Sequence, residues 1–99
     1  MYARVTSAQI DPKNIETFTK IYEDSVVPAA KKQKGFISIW LMINRETGDG
    51  LSISYWDTEE DVVATEKNLF YQEQVAKFIP YYVKHPIRDG YEVVIQENK

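Results

Sequence analysis

The chain has 99 residues, 43% hydrophobic and 27% charged, with 12 Lys and Arg against 15 Asp and Glu and a net charge of −3. That is one domain (1–99) of ordinary globular composition; disorder and collagen-like repeats are excluded, and a pI near 5.1 argues against a broad nucleic-acid surface. Cysteine is absent, which removes disulfides, thiolate nucleophiles and cysteine-based metal sites. The longest apolar run, Ile39 to Ile43, is far below the roughly 20 residues of a membrane span. Met1 leads directly into strand-like alternation, so no signal peptide is expected; together with the missing cysteine this sets the expectation of a cytoplasmic protein.

Residues 2–10 alternate as a strand does. Asp11-Pro12 ends it: Asp11 suits a helix N-cap and Pro12 the first helical position, with Asn14 a slightly later competitor. Ile15, Phe18, Tyr22, Val26 and Ala29 then recur on one helical stripe. Pro28 is expected to kink or end this first helix, and Gly35 to stop it, after the basic cluster Lys31, Lys32 and Lys34. That cluster reads as a complement to the helix dipole rather than a phosphate site. A second strand is expected from Phe36 to about Asn44 and a third from about Leu51 to Trp56, joined by the turn-rich Thr47-Gly48-Asp49-Gly50.

Thr58-Glu59-Glu60-Asp61 has capping-box spacing with Asp at the last position. It predicts a second helix running to about Ile79, before Pro80. A loop from Tyr81 to Asp89 and a fourth strand from Tyr91 to Gln96 complete the chain, with a polar tail at Glu97-Asn98-Lys99. The order β-α-β-β-α-β is the ferredoxin-like α+β arrangement, a four-stranded antiparallel sheet with both helices on one side. The second strand is apolar on both parities: Phe36, Trp40 and Met42 on one, Ile37, Ile39, Leu41 and Ile43 on the other. Two helices cover one face of a sheet only, so a second copy of the chain is the natural cover for the other.

Chemistry-bearing residues are few. One histidine makes a histidine metal site improbable, and no metal or other cofactor is expected. His85 sits between Lys84 and Pro86, where an exposed loop histidine competes with a catalytic one. Ser52, Ser54 and Trp56 share a parity, and Ser38 and Trp40 are expected to join them from the neighbouring strand. Small hydroxyls beside large aromatics leave a hollow suited to a planar aromatic ligand. Thr65, Asn68 and Gln72 on the second helix are expected to face the same space. The competing reading makes the serines packing spacers and the helix polars a rim. Tyr71, Phe78, Tyr81 and Tyr82 serve equally well as dimer anchors.

Gly35-Phe36 opens a strand after a long helix, and Ser54-Tyr55-Trp56-Asp57-Thr58-Glu59-Glu60 ends a strand and starts a helix. This resembles the antibiotic biosynthesis monooxygenase family, in which a strand-ending Trp precedes an acidic or hydroxyl-bearing helix start. The resemblance implies a dimeric α+β barrel, two sheets face to face with helices outside. It also implies either a cofactor-independent oxygenase of phenolic or quinol molecules or a haem-degrading monooxygenase. Trp56 matches the family Trp. A polyketide-oxidising relative carries Asn four residues before that Trp and Tyr six after it; here those positions hold Ser52 and Val62. Histidines that other members carry near Thr65 and Phe70 are absent. The Asn, Trp and haem-ligating His of the haem-degrading branch fall near Thr6, Thr65 and Val75. The resemblance therefore points to a cofactor-independent monooxygenase acting on an aromatic or quinone-like molecule as a homodimer. Trp56 forms the wall, and Tyr71 and His85 are the candidate acid–base groups. A non-catalytic dimer binding a small apolar metabolite, or an isomerase or stress-response relative on the same barrel, are the alternatives.

Overall fold

A computed structural model describes all residues, 1–99. Strand β1 (Tyr2–Ile10) leads into a 3-10 turn (Pro12–Asn14), helix α1 (Ile15–Ile21), a π-helical turn (Tyr22–Val26) and helix α2 (Val27–Lys31). Then come β2 (Phe36–Ile43), β3 (Asp49–Trp56), α3 (Glu59–Lys67), α4 (Phe70–Ala76), a 3-10 turn (Ile79–Tyr81) and β4 (Tyr82–Glu92). The sheet order is β2-β3-β1-β4 and every pairing is antiparallel, the ferredoxin-like arrangement.

Local chemistry explains most boundaries. The Asp11 side chain accepts from the Lys13 N–H at 3.0 Å, with Pro12 at the first helical position. Thr58 and Asp61 close the expected capping box: Thr58 Oγ1 accepts from the Asp61 N–H at 3.1 Å and donates to Asp61 Oδ2 at 3.0 Å. Gly35 has φ +81, and a side chain there would run into the buried Asp61 carboxylate, so this helix stop is fixed twice over.

Four expectations are corrected. Pro28 does not end the first helix, which continues to Lys31. The Val27 N–H reaches back five residues to the Tyr22 carbonyl, and this π-turn sets the chain for a proline that has no N–H to give. The second helix is two helices, because Leu69 at φ 67 is left-handed and breaks it; the Asn68 side chain then accepts from the Phe70 N–H at 2.9 Å. The fourth strand begins at Tyr82, not Tyr91, and ends at Glu92. It takes in the expected loop with two register shifts against β1, between Ser7 and Ile10. Pro86 falls in that irregular stretch on an edge strand, where a missing N–H breaks no ladder.

The fourth correction bears on the site. Phe36 and Ser38 pair with Trp56 and Tyr55, two steps on β2 against one on β3. This bulge reverses the parity of β2, so Ile39, Leu41 and Ile43 share a face with Ser54, Ser52 and Gly50. Ser38 and Trp40 belong to the opposite face, and Trp40 is 59% exposed.

The core lies between the sheet and the helices. Ile10, Ile15, Phe18, Tyr22, Val26 and Phe78 form its centre, with Ile39, Leu41 and Ile43 against it. Only 17 of 99 residues are buried, a thin core for one chain. The other face of the sheet leaves Trp40, Met42, Leu51, Ile87 and Tyr91 exposed. No helix is long and apolar enough to cross a membrane.

Candidate functional site

Strands β1 and β3 pair so that Arg4, Thr6 and Ala8 stand opposite Ser54, Ser52 and Gly50 on the face under the helices. Small side chains at 8, 50, 52 and 54 leave room that the helices do not fill. A cavity of about 80 Å³ results, between the sheet and the helices, with Trp56, Phe18, Val26, Phe70, Val75 and Phe78 among its apolar walls.

Its polar groups come from both layers. Trp56 is fully buried; its indole N–H donates to Ser54 Oγ at 2.9 Å, and its ring meets Phe36 edge-on at 5.6 Å. Tyr22, on the inward stripe with Ile15 and Phe18, shares a hydrogen bond with Ser52 Oγ at 2.6 Å. Burial pushes its phenol up to about 12, although that hydrogen bond and the charge of Arg4 pull the other way. Tyr71 shares a hydrogen bond with Thr6 Oγ1 at 3.0 Å. Tyr82 is also raised to about 12, first by burial and then by Tyr71.

Arg4 is the one charged residue lining the cavity, and it is 5% exposed. Its Nη1 donates to Thr65 Oγ1 at 2.7 Å and lies 3.5 Å from Glu66 Oε2. Glu66 Oε1 in turn meets Arg88 Nη2 at 3.4 Å. The Tyr71 ring sits between the two guanidinium groups, 4.3 Å from Arg4 Cζ and 5.0 Å from Arg88 Cζ. Burial lowers the Arg4 pKa, opposed by Tyr71 and Glu66.

Of the residues singled out from sequence, Trp56, Ser52, Ser54 and Tyr71 meet at this cavity. Thr65 is buried behind Arg4, accepting from it and donating to the Val62 carbonyl at 2.7 Å. Asn68 is exposed beside Gln33, and Gln72 is exposed with its amide on the Glu66 carbonyl. The left-handed break at Leu69 rotates α4 relative to α3, so Gln74 is buried at the cavity in place of Gln72. Ser38 and Trp40 lie on the far face, and His85 is exposed on β4 outside the cavity. Phe78 is in the core, and Tyr71 and Tyr82 line the cavity, so these three are committed within the chain rather than free as dimer anchors. Arg4, Thr6, Tyr22 and Gln74 were missed. Arg4 and Thr6 carried a signal, polar residues on the strand parity that also holds Ala8 and Ile10.

A ferredoxin-like domain with an apolar cavity under its helices and a Trp closing its third strand places the chain in a class of small α+β proteins. The chain belongs to the antibiotic biosynthesis monooxygenase family, whose model matches residues 1–80. Two uncharacterized Mycobacterium tuberculosis proteins, from strains CDC 1551 and H37Rv, are each 30% identical over 69 residues. The match covers 70% of this chain, which spans about a third (31%) of the length of those relatives. Among solved structures, a candidate antibiotic biosynthesis monooxygenase from Deinococcus radiodurans superposes with TM-score 0.79 at 11% identity, covering 100% of this chain and 98% of that one. A Nitrosomonas europaea counterpart gives 0.76 at 11%, covering 96% and 100%. The haem degrader MhuD of M. tuberculosis, solved with two haems in its active site, gives 0.77 at 12%, covering 99% and 100%. At such identities these likenesses establish the fold alone.

Proposed function

We propose that the chain is a cofactor-independent oxygenase of an aromatic or quinol-like molecule, working as a homodimer. The observation that carries this reading is the cavity itself: apolar walls, with Trp56, Ser54, Arg4 and Tyr71 gathered among them. A planar ring matches the chemistry of such walls, and the polar cluster supplies donors for an oxygen on its edge. No carboxylate, histidine or lysine lines the cavity, so the protein's contribution is to hold an electron-rich ring dry and to stabilise its anion. Oxidation of a diaryl methylene to the ketone by one molecule of dioxygen balances without a further reductant. Both C–H bonds of the methylene break, and one oxygen atom becomes the ketone oxygen. The other leaves as water with the two hydrogens, and all the electrons that reduce dioxygen come from the substrate. At about 80 Å³ the space is smaller than the ~150 Å³ that admits benzene, so a ring displaces part of the wall. On this reading the wall that yields is helix α4, Phe70–Ala76, which follows the left-handed Leu69.

Haem fits these residues poorly. No His, Met or Cys lines the cavity; of its three tyrosines, Tyr22 and Tyr82 are disfavoured as phenolates by burial, and the Tyr71 hydroxyl is already paired with Thr6. The homodimer rests on the open sheet face, where Trp40, Met42, Leu51, Ile87 and Tyr91 form an apolar surface suited to a second copy.

Oxygen uptake with a panel of anthrones and quinols tests the activity. Turnover above autoxidation is expected, falling roughly tenfold or more in Trp56→Phe while the protein stays folded and dimeric. Uptake no faster than background across the panel, with ring binding intact, leaves the non-catalytic binding protein as the correct reading.

A further inference from the structure

A guanidinium carries five N–H donors, and taking it out of water is costly unless they are used. Arg4 is buried, yet its hydrogen bonds to Thr65 and Glu66 both leave from Nη1. Nε and Nη2 have no protein acceptor. No sealed-off side-chain nitrogen or oxygen lacks a partner, so these two nitrogens are open to some space, and the cavity is a space that Arg4 lines.

The charge count points the same way. Arg4 and Arg88 share a single carboxylate, Glu66, which is outside the cavity lining, at 3.5 and 3.4 Å. Two cations against one anion leave one positive charge unbalanced. Every other residue of the cavity lining is neutral. The Tyr71 ring, between the guanidinium groups and tied to Thr6, holds Arg4 in place from one side while Thr65 holds it from the other. A purely structural tie between helix and sheet needs only Nη1; the free edge of the fork is an available anion receptor in a mostly apolar, partly enclosed setting, where such a hydrogen bond is stronger than in water.

We infer that the cavity selects an aromatic ring bearing an oxyanion, with Nε and Nη2 of Arg4 as its counter-ion and the apolar walls around the ring. The selectivity rests on the ligand-binding reading of the cavity given above, and not on oxygenation.

Calorimetric titration with two matched probe pairs tests it: benzoate against benzamide, and 4-nitrophenolate against 4-nitroanisole, with the Arg4 Nε–H resonance followed by 15N NMR. The folded wild-type protein should favour the charged member of each pair by about tenfold or more, the size of a charge-assisted hydrogen bond in a desolvated site. The Nε–H resonance should move with the anions and not with the neutral probes. In Arg4→Met the anion-to-neutral ratio should fall to near one, and Arg4→Lys should restore part of it. If Arg4 variants fail to fold, Glu66→Gln serves instead: removing the competing carboxylate should tighten benzoate binding severalfold relative to benzamide. Equal affinity for charged and neutral members in the wild-type protein, or an unchanged or smaller ratio in Glu66→Gln, overturns the anion selectivity and leaves the ligand cavity standing. Failure of all four probes to bind overturns the cavity as a ligand site, and this inference with it.

Discussion

On the face of the sheet beneath the helices, Trp56 is fully buried, its N–H is paired, and hydroxyls and one guanidinium are held at fixed distances around it. On the opposite face the other tryptophan, Trp40, is 59% exposed among Met42, Leu51, Ile87 and Tyr91. The same strands build both faces. Apolar content therefore does not tell the proposed ligand site from the proposed docking surface. What separates them is whether polar groups are interleaved with the apolar ones, and whether the chain's own helices enclose them. Enclosure obliges each polar atom to find a partner, which organises it; an open apolar face carries no such obligation and is satisfied by any complementary surface.

The sharpest way to break this contrast is Trp56→Ala. Removing a fully buried Trp should cost about 3–5 kcal/mol in urea unfolding, enough to unfold much of the protein. A loss below about 1 kcal/mol would mean that the enclosed face is not the folding core. Trp40→Glu probes the other side. It should leave the single-chain fold intact but weaken self-association by about 30-fold or more, read by sedimentation. An unchanged association constant would remove the open face as the dimer interface.

The smallest effect sharpens the enclosed side. Tyr22→Phe loses the hydrogen bond to Ser52 and should cost about 1 kcal/mol near neutral pH. The sign then changes with pH. Tyr22 ionises at about 12 when folded against an ordinary 10.0, so its neutral form favours the native state. Below pH 10 neither state ionises and this contribution is whole; between 10 and 12 the unfolded chain ionises first and stability falls. Phe cannot ionise, so the variant lacks this loss, and its stability relative to wild type should rise by about 1.4 kcal/mol per pH unit over that interval. A deficit constant with pH, measured by denaturant unfolding, would mean that Tyr22 is not shielded from water.

Helix caps, the glycine stop at Gly35 and the hairpin turn were legible because each depends on residues a few positions apart. The β4 boundary was not. Lys84, His85, Pro86, Arg88 and Asp89 lack strand character, and only the edge of β1 draws them into the sheet. The site was half legible. Trp56, Ser52 and Ser54 follow from parity in one strand. Ser38 and Trp40 did not, because one bulged residue at the start of β2 reverses every later side chain. Asn68 and Gln72 did not, because a single left-handed leucine turns the helix wheel. Arg4 was visible as a charged residue in a core-facing register, but its role depends on Thr65 and Glu66, 61 and 62 residues away.

By itself, then, the sequence determined the order of elements, the ferredoxin-like class, the family resemblance and the surplus of apolar surface on the sheet, because periodicity and capping are set by short-range geometry. Only the tertiary structure decided which strand parity lies under the helices, which helix residues look inward, and that a lone guanidinium stands in the cavity with part of its donor set free. Those outcomes depend on register between distant segments, and a shift of one residue in a bulge or one dihedral at a helix break changes them without leaving a periodic trace in the chain.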